Sequence, residues 1–334
     1  SIDSFTSPAA DSVHKDSSDA NTADALTFEV SDTSPVSCFY SINGGANTPT
    51  DTACTSGAPV ANAPIHGLTD GREDIEFVVS DAAGNTTTSS SVSFVFDNNN
   101  TLTVGTVPAQ DFGTIQEAIN KSTVGDAVNV SAGTYAENVT LNKDITLNGA
   151  QTGVDARGRV ASESIITPTT VGITLSTGSA GATIDGFTIS GGTRGIESSS
   201  GPLNGLNILN NRIVSFTNGG LFLNDTGTDI TIDKNVVDGT SKTGGGGLVH
   251  LDTDGFDGFW FTDNNVVNGS TGTGLFSDGN HNVGVSGSRS PKMTGNLIQA
   301  NETGANLGKY SWEYADISDN VFQNNTFDGL QGGI

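Results

Sequence analysis

The amino-acid sequence predicts an all-β protein in two parts, an antiparallel sandwich followed by a coil of stacked parallel strands. Three observations carry this reading. Val, Ile, Leu and Phe alternate with polar residues along nearly the whole length, in runs that end on Gly, Asn or Asp. One phrase recurs every 24 to 31 residues through the second half. The composition, with 44 Gly, 1 Met and 34% hydrophobic residues among 334, suits short strands and many turns.

The same figures bound the function. A net charge of −24 repels nucleic acid and anionic lipid. It also repels polyanionic polysaccharides unless cations or a local basic patch intervene, and it favours divalent cations, so calcium could bind although no motif demands a cofactor. No apolar run approaches the roughly 18 residues of a membrane span. No apolar leader precedes the strands, so Ser1 reads as the start of a mature chain. The two cysteines, Cys38 and Cys54, fall in one strand-rich region. A disulfide between them implies a secreted or cell-surface location; two buried free thiols are the alternative.

Residues 1–21 are polar and unpatterned, a linker or an edge segment. From 22 to 97 the runs "LTFEVSD", "SCFYSING", "DIEFVVSDAAGN" and "SVSFVFD" alternate with period two, as in a small β-sandwich. "VSDAAGNTTTSSSVSFVFD" resembles the final hairpin of bacterial immunoglobulin-like repeats, in which a D-x-A-G-N turn joins the last two strands. That resemblance implies a spacer or presentation module rather than a catalyst. At the seam, "FDNNNTLTV", Asp97 and three Asn supply oxygen ligands that suit calcium, or an ordinary solvated turn.

Residues 98–334 form the second part. "TIQEAINK" puts Ile115, Ala118 and Ile119 on one helical face, with Thr114 as N-cap, Glu117 three residues on and Lys121 at the far end. A short amphipathic helix here covers the open end of a coil. T-I-Q-x-A-I, then G-D, then G-T-Y-x-E-x-V, then I-T-L-x-G resembles the N-terminal part of right-handed parallel β-helix proteins of the pectin-lyase-like type, closely so over residues 112–149. The fold expected from both resemblances is an N-terminal immunoglobulin-like β-sandwich followed by a right-handed parallel β-helix with an N-terminal capping helix.

The repeat follows: "ATIDGFTIS", "LNILNNRIV", "ITIDKNVVD", "FWFTDNNVV", "PKMTGNLIQ", "ADISDNVFQ". It aligns Gly186, Asn211, Asn235, Asn265, Asn296 and Asn320 at a sharp corner, where Asn tolerates left-handed backbone and can bond to its counterpart one turn away. A second series, "GGLFL", "GGLVHL", "TGLFS", predicts that Leu221, Leu248 and Leu275 stack inside the coil. The last residues, "DGLQGGI", carry no capping pattern. They point to a longer parent chain or to self-assembly through an uncapped C-terminal end.

Catalysis is weakly signalled. Tyr135 and Glu137 match the pectin methylesterases' G-x-Y-x-E, which is architectural; their Q-A-V-A, D-F-I-F-G and L-G-R-P-W phrases are absent, and Asp254 and Asp257 in "DGFDGFWF" lack that context. The polygalacturonases' N-T-D, D-D, G-H-G and R-I-K are absent too. For a lyase, the base would be Lys234, Lys242, Arg212 or Arg289. Three groups of candidates remain. Asp225, Asp252 and Asp278 sit near the ends of equivalent strands and could hold calcium or form an acid pair, or diverge into solvated turns. His250 shares a strand face with Asp252, the makings of a general base or a surface pair. Tyr310, Trp312 and Tyr314 alternate in "KYSWEYAD" and point one way, towards a glycan, a protein or the core. Two functions follow: a secreted cell-surface structural or adhesive protein (surface layer, fibre or adhesin), or a polysaccharide-active glycoside hydrolase or lyase with a divergent acidic site.

Overall fold

The computed structural model describes residues 2–15, 25–32, 36–57, 59–251, 256–269, 271–277, 290–307 and 315–332. The chain forms two compact units, Ser1–Gly113 and Thr114–Ile334. The expected seam at Asp97 lies inside the first unit.

The first unit contains two sheets. Ile2–Ser7 is the edge strand of one, antiparallel to Ala25–Val30, which pairs in turn with Pro59–Pro64. The other runs in the order Val13–His14, Val92–Phe96, Gly71–Asp81, Val36–Ile42, Thr48–Pro49. Leu26, Phe28 and Val30 from the first sheet share one buried core with Tyr40, Ile75, Phe77 and Phe94 from the second. A disulfide joins Cys38 to Cys54. The D-x-A-G-N turn is closed by Asp81, whose carboxylate accepts from the backbone N–H groups of Ala83 and Asn85 and from the Asn85 amide. The Asn85 side chain first, then these backbone donors, hold the Asp81 carboxyl below its usual range.

The second unit is a right-handed parallel coil of eight turns, each contributing one strand to three parallel sheets. Within this unit the first sheet runs from Ala127–Val130 to Asp316–Ser318, the second from Gly133–Tyr135 to Val321–Gln323, the third from Val139–Leu141 to Leu330–Gly332. Register brings like residues together. In the first sheet Val128, Leu147, Ile184, Ile208, Ile232 and Phe261 form one interior column, all buried. Each such side chain is worth about 1.5–3 kcal/mol when taken fully from water. In the third sheet Leu221 stacks on Val249, not on Leu248, and Val249 stacks on Leu275. Leu248 fills the corner just before the strand, a shift of one residue that turns His250 outward.

The glycines at the second position of several third-sheet strands have a steric cause. A Cβ on Gly172 or Gly195 would lie 2.5 Å from the carbonyl oxygen of the next glycine up the coil, and one on Gly274 2.6 Å from that of Gly304. At these three positions no side chain fits, whereas Leu248 holds the equivalent place one turn beyond Gly220.

The corner between the first and second sheets holds the asparagine ladder, which matches the expected alignment at Asn211, Asn235, Asn296 and Asn320 and departs from it by one residue at two places. Gly186, Asn210, Lys234, Asp263, Gly295 and Asp319 take the left-handed backbone. The residue after each points inward, and there the ladder runs Asn211, Asn235, Asn264, Asn296, Asn320. Asn264 replaces the expected Asn265. Each rung's Oδ1 accepts the backbone N–H of the previous member, at 2.8–3.1 Å from Asn211 to Asn320. Each Nδ2 donates to a carbonyl of the preceding turn, as Asn235 does to Ile208. Gly186 misled the alignment because it shares the backbone conformation of Asn210, not the position of Asn211.

The helix Ile115–Lys121 packs its buried Ile115, Ala118 and Ile119 against the first turn. Thr114 caps it as expected, accepting from the Glu117 N–H. Two side chains that flank the strand Val139–Leu141 hold its ends. Glu137 accepts from the N–H groups of Ile115 and Gln116 at 2.9 and 3.0 Å. Lys143 donates to the carbonyls of Ile119, Asn120 and Ser122 at 2.6, 2.9 and 2.7 Å. Groups that helix ends leave orphaned are thus met at both ends.

Candidate functional site

The third sheet presents an outer column of Thr174, Glu197, Phe222, His250, Phe276 and Asn306, one residue per turn. Strand alternation points these side chains away from the core. Phe222, His250 and Phe276 pack in series, with ring centres 4.6 and 4.9 Å apart and ring planes inclined by 54° and 64°. The Arg194 guanidinium lies over the Phe222 ring, its carbon 3.8 Å from the centre, and pairs with Glu197. Three half-buried rings with a cation at one end make a surface that stacks against a flat or apolar ligand face.

A glycine-rich loop, 239–247, borders the column. Its Lys242 is 5% exposed and donates to the carbonyls of Gly244 and Thr271. Burial pushes the Lys242 ammonium below its usual range, while Glu302 acts in the opposite sense. The loop is tied to the previous turn through the N–H groups of Thr243 and Gly244, both donating to Thr217 O.

The remaining sequence candidates scatter. Asp225 lies two residues beyond Leu223, whereas Asp252 and Asp278 are one residue beyond Leu251 and Ser277, the register partners of Leu223 and its successor. Among the described residues Asn224, not Asp225, directly follows Leu223. One Asp225 carboxylate oxygen is buried without a hydrogen bond. Asp252, Asp254, Asp278, Arg289, Tyr310, Trp312 and Tyr314 lie outside the described residues. Arg212 is on the second sheet. Lys234 sits on the ladder corner, paired with Asp233 at 2.8 Å; that hydrogen bond raises its pKa. These basic groups do not converge. Asp97 is 2% exposed and faces Lys15 at 3.4 Å. Among the described residues no group of three or more His, Cys, Asp or Glu could hold a metal ion, and no helix is long and apolar enough to cross a membrane.

Sequence reading missed Phe222, Phe276 and Arg194. The signal was present in "GLFL", "LVHL" and "GLFS", where an aromatic residue precedes the last position each time, but it emerges only once Val249 rather than Leu248 is aligned with Leu221.

No protein-family profile matches the chain. No curated protein matches it either. Among solved structures, the chain is similar to the family 28 exopolygalacturonase of Yersinia enterocolitica at 12% identity, over 100% of this chain and 97% of that one, with a TM-score of 0.20. A superposition that poor bears on neither fold nor activity.

Proposed function

We propose that this chain is a secreted or cell-surface structural or adhesive protein. In this reading an immunoglobulin-like module, residues 22–97, presents a stiff parallel β-helix whose first turn is capped by the helix Ile115–Lys121. The observation that carries it is the buried asparagine ladder, which joins five successive turns through side chain and backbone alike. Such a ladder invests in rigidity along the coil rather than in a reactive centre. Electron microscopy of the purified protein tests the reading: regular fibres, sheets or end-to-end arrays support it, and dispersed particles that cleave polysaccharide sink it.

A second reading, a polysaccharide-active hydrolase or lyase, draws support from the Arg194–Phe222–His250–Phe276 column and the buried Asp225 oxygen that accepts no hydrogen bond. Incubation with neutral and acidic polysaccharides, with and without calcium, reads out new reducing or unsaturated ends. Activity lost in both His250→Ala and Asp225→Ala would establish this reading over the first.

A further inference from the structure

We propose that Lys15 and Asn100 become joined by an amide bond between their side chains, with Asp97 carrying the protons. The three residues meet at one end of the second sheet of the first unit. Val13–His14 runs parallel to Val92–Phe96, with His14 opposite Phe96, and the Asp97 N–H donates to His14 O at 2.8 Å. The ladder thus delivers Lys15 and Asp97 side by side. The turn that follows folds back on itself. Thr101 N–H donates to Asp97 Oδ1 at 3.0 Å, and Asn100 takes the left-handed backbone, φ 57°. Its carboxamide is thereby brought to Lys15, with Nζ 3.2 Å from Asn100 Oδ1.

Asp97 is the unusual member. It is 2% exposed, and its Oδ2 is buried with no hydrogen-bond donor. That oxygen faces Lys15 Nζ at 3.4 Å. A buried carboxylate normally fills its lone pairs with donors. The neighbouring buried carboxyl does so: Asp111 Oδ2 accepts from the N–H and hydroxyl of Thr103. Asp97 keeps one oxygen free of such bonds, aimed at an amine that touches a carboxamide. An amine, a carboxamide and a water-shielded base held in place are the components of amide exchange.

The step balances. Asp97 takes a proton from the Lys15 ammonium, and the neutral Nζ attacks Asn100 Cγ. The tetrahedral intermediate collapses with cleavage of the Cγ–Nδ2 bond. Both protons lost by Nζ pass to Nδ2 with the one it needs from Asp97 among them, so the nitrogen leaves as ammonium and Asp97 ends ionised as it began. No oxidant or co-reactant is needed. The product closes a covalent loop across 85 residues.

Intact mass spectrometry of the folded chain, with its disulfide reduced just before measurement, tests this. The expected mass is lower than that of the sequence by one ammonia, and digestion should release a branched peptide joining Lys15 to Asn100. Lys15→Arg and Asp97→Ala should both carry full mass. A wild-type chain at full mass after days folded at neutral pH overturns the proposal. So does an ammonia loss that persists in Lys15→Arg, which would place the loss at another asparagine. The wild-type mass decides the matter even where Asp97→Ala folds poorly.

Discussion

Asn235 shows what one ladder position does. Its Oδ1 accepts the Asn211 backbone N–H at 2.8 Å, and its amide donates to Ile208 O at 2.8 Å. Both partners belong to buried surroundings, and Asn235 itself is 1% exposed. Asn235→Ala leaves a buried N–H and a buried C=O without partners, so a loss of about 2–6 kcal/mol is expected, at about 1–3 kcal/mol per orphaned group. Urea denaturation followed by tryptophan fluorescence measures it, and a change under about 1 kcal/mol would mean that water takes over both bonds. The same scale explains the misaligned ladder. Periodicity in the sequence reveals that a corner exists, but Gly and Asn both tolerate left-handed backbone, so residue type alone does not separate the corner residue from its inward neighbour. Gly195→Ala is a second residue-scale case. Its Cβ would press on the Gly220 carbonyl, and a marked fall in melting temperature is expected, against the small gain an alanine brings at an unhindered site.

At the scale of elements, the loop 149–163 acts as a strap along the ladder corner. Thr152 and the Gly153 N–H reach Asp185; Arg159 donates to Phe187 O and Asn210 O; the Ala156 N–H meets Lys234 O; Arg157 pairs with Asp263. One loop therefore touches four successive turns. Arg157 also holds the Asp155 carboxyl below its usual range through a side-chain hydrogen bond. A carboxyl lowered on folding contributes stability that is fully present above its unfolded pKa, about 3.9, and lost as pH falls through the folded value. Hydrogen exchange in 151–163 should accelerate below about pH 4 while the ladder amides of Asn235 and Asn264 stay protected; equal loss of protection in both would refute a separately detaching strap. The strap was illegible beforehand because its residues have no period, and these contacts are to residues 28 to 106 positions away. The helix clamp is a related case. Glu137 and Lys143 look like ordinary strand-end residues in "GTYAENVTLNKDITLNGA", and only the fold brings them to the two ends of one helix. Glu137→Ala should cost about 1–2 kcal/mol, the scale of a lost N-cap, and Glu137→Gln less, since a carboxamide oxygen still accepts.

For the whole molecule, the two units can be followed separately. Both tryptophans, Trp260 and Trp312, belong to Thr114–Ile334, and the disulfide to Ser1–Gly113. Cys54→Ser removes a loop constraint worth about 3 kcal/mol for a loop of this length. Calorimetry should register that loss, while the fluorescence transition of the tryptophans stays where it was; a matching shift in both would show that the units unfold as one. The architecture was legible because hydrophobic alternation and a repeating phrase are imposed along the entire chain. The outer face was far less so. Nothing inside a coil constrains which side chains project outward, so Phe222, His250 and Phe276 follow from register alone, and register was the one quantity that a single-residue misalignment could spoil.

The ladder also makes length a quantity that comes in whole units. Asn296 and Asn320 are 24 residues apart, and the segment 296–319 holds one strand of each sheet. Excising it would join Gly295 to Asn320 and leave the Asn264 N–H facing the Asn320 carboxamide in place of its former acceptor. A chain shortened in that way should still fold cooperatively with its circular-dichroism shape intact, whereas removal of a dozen residues from the same stretch should not. Such a coil can be edited by excision or duplication of one complete turn, with neighbours that cannot distinguish the new contact from the old.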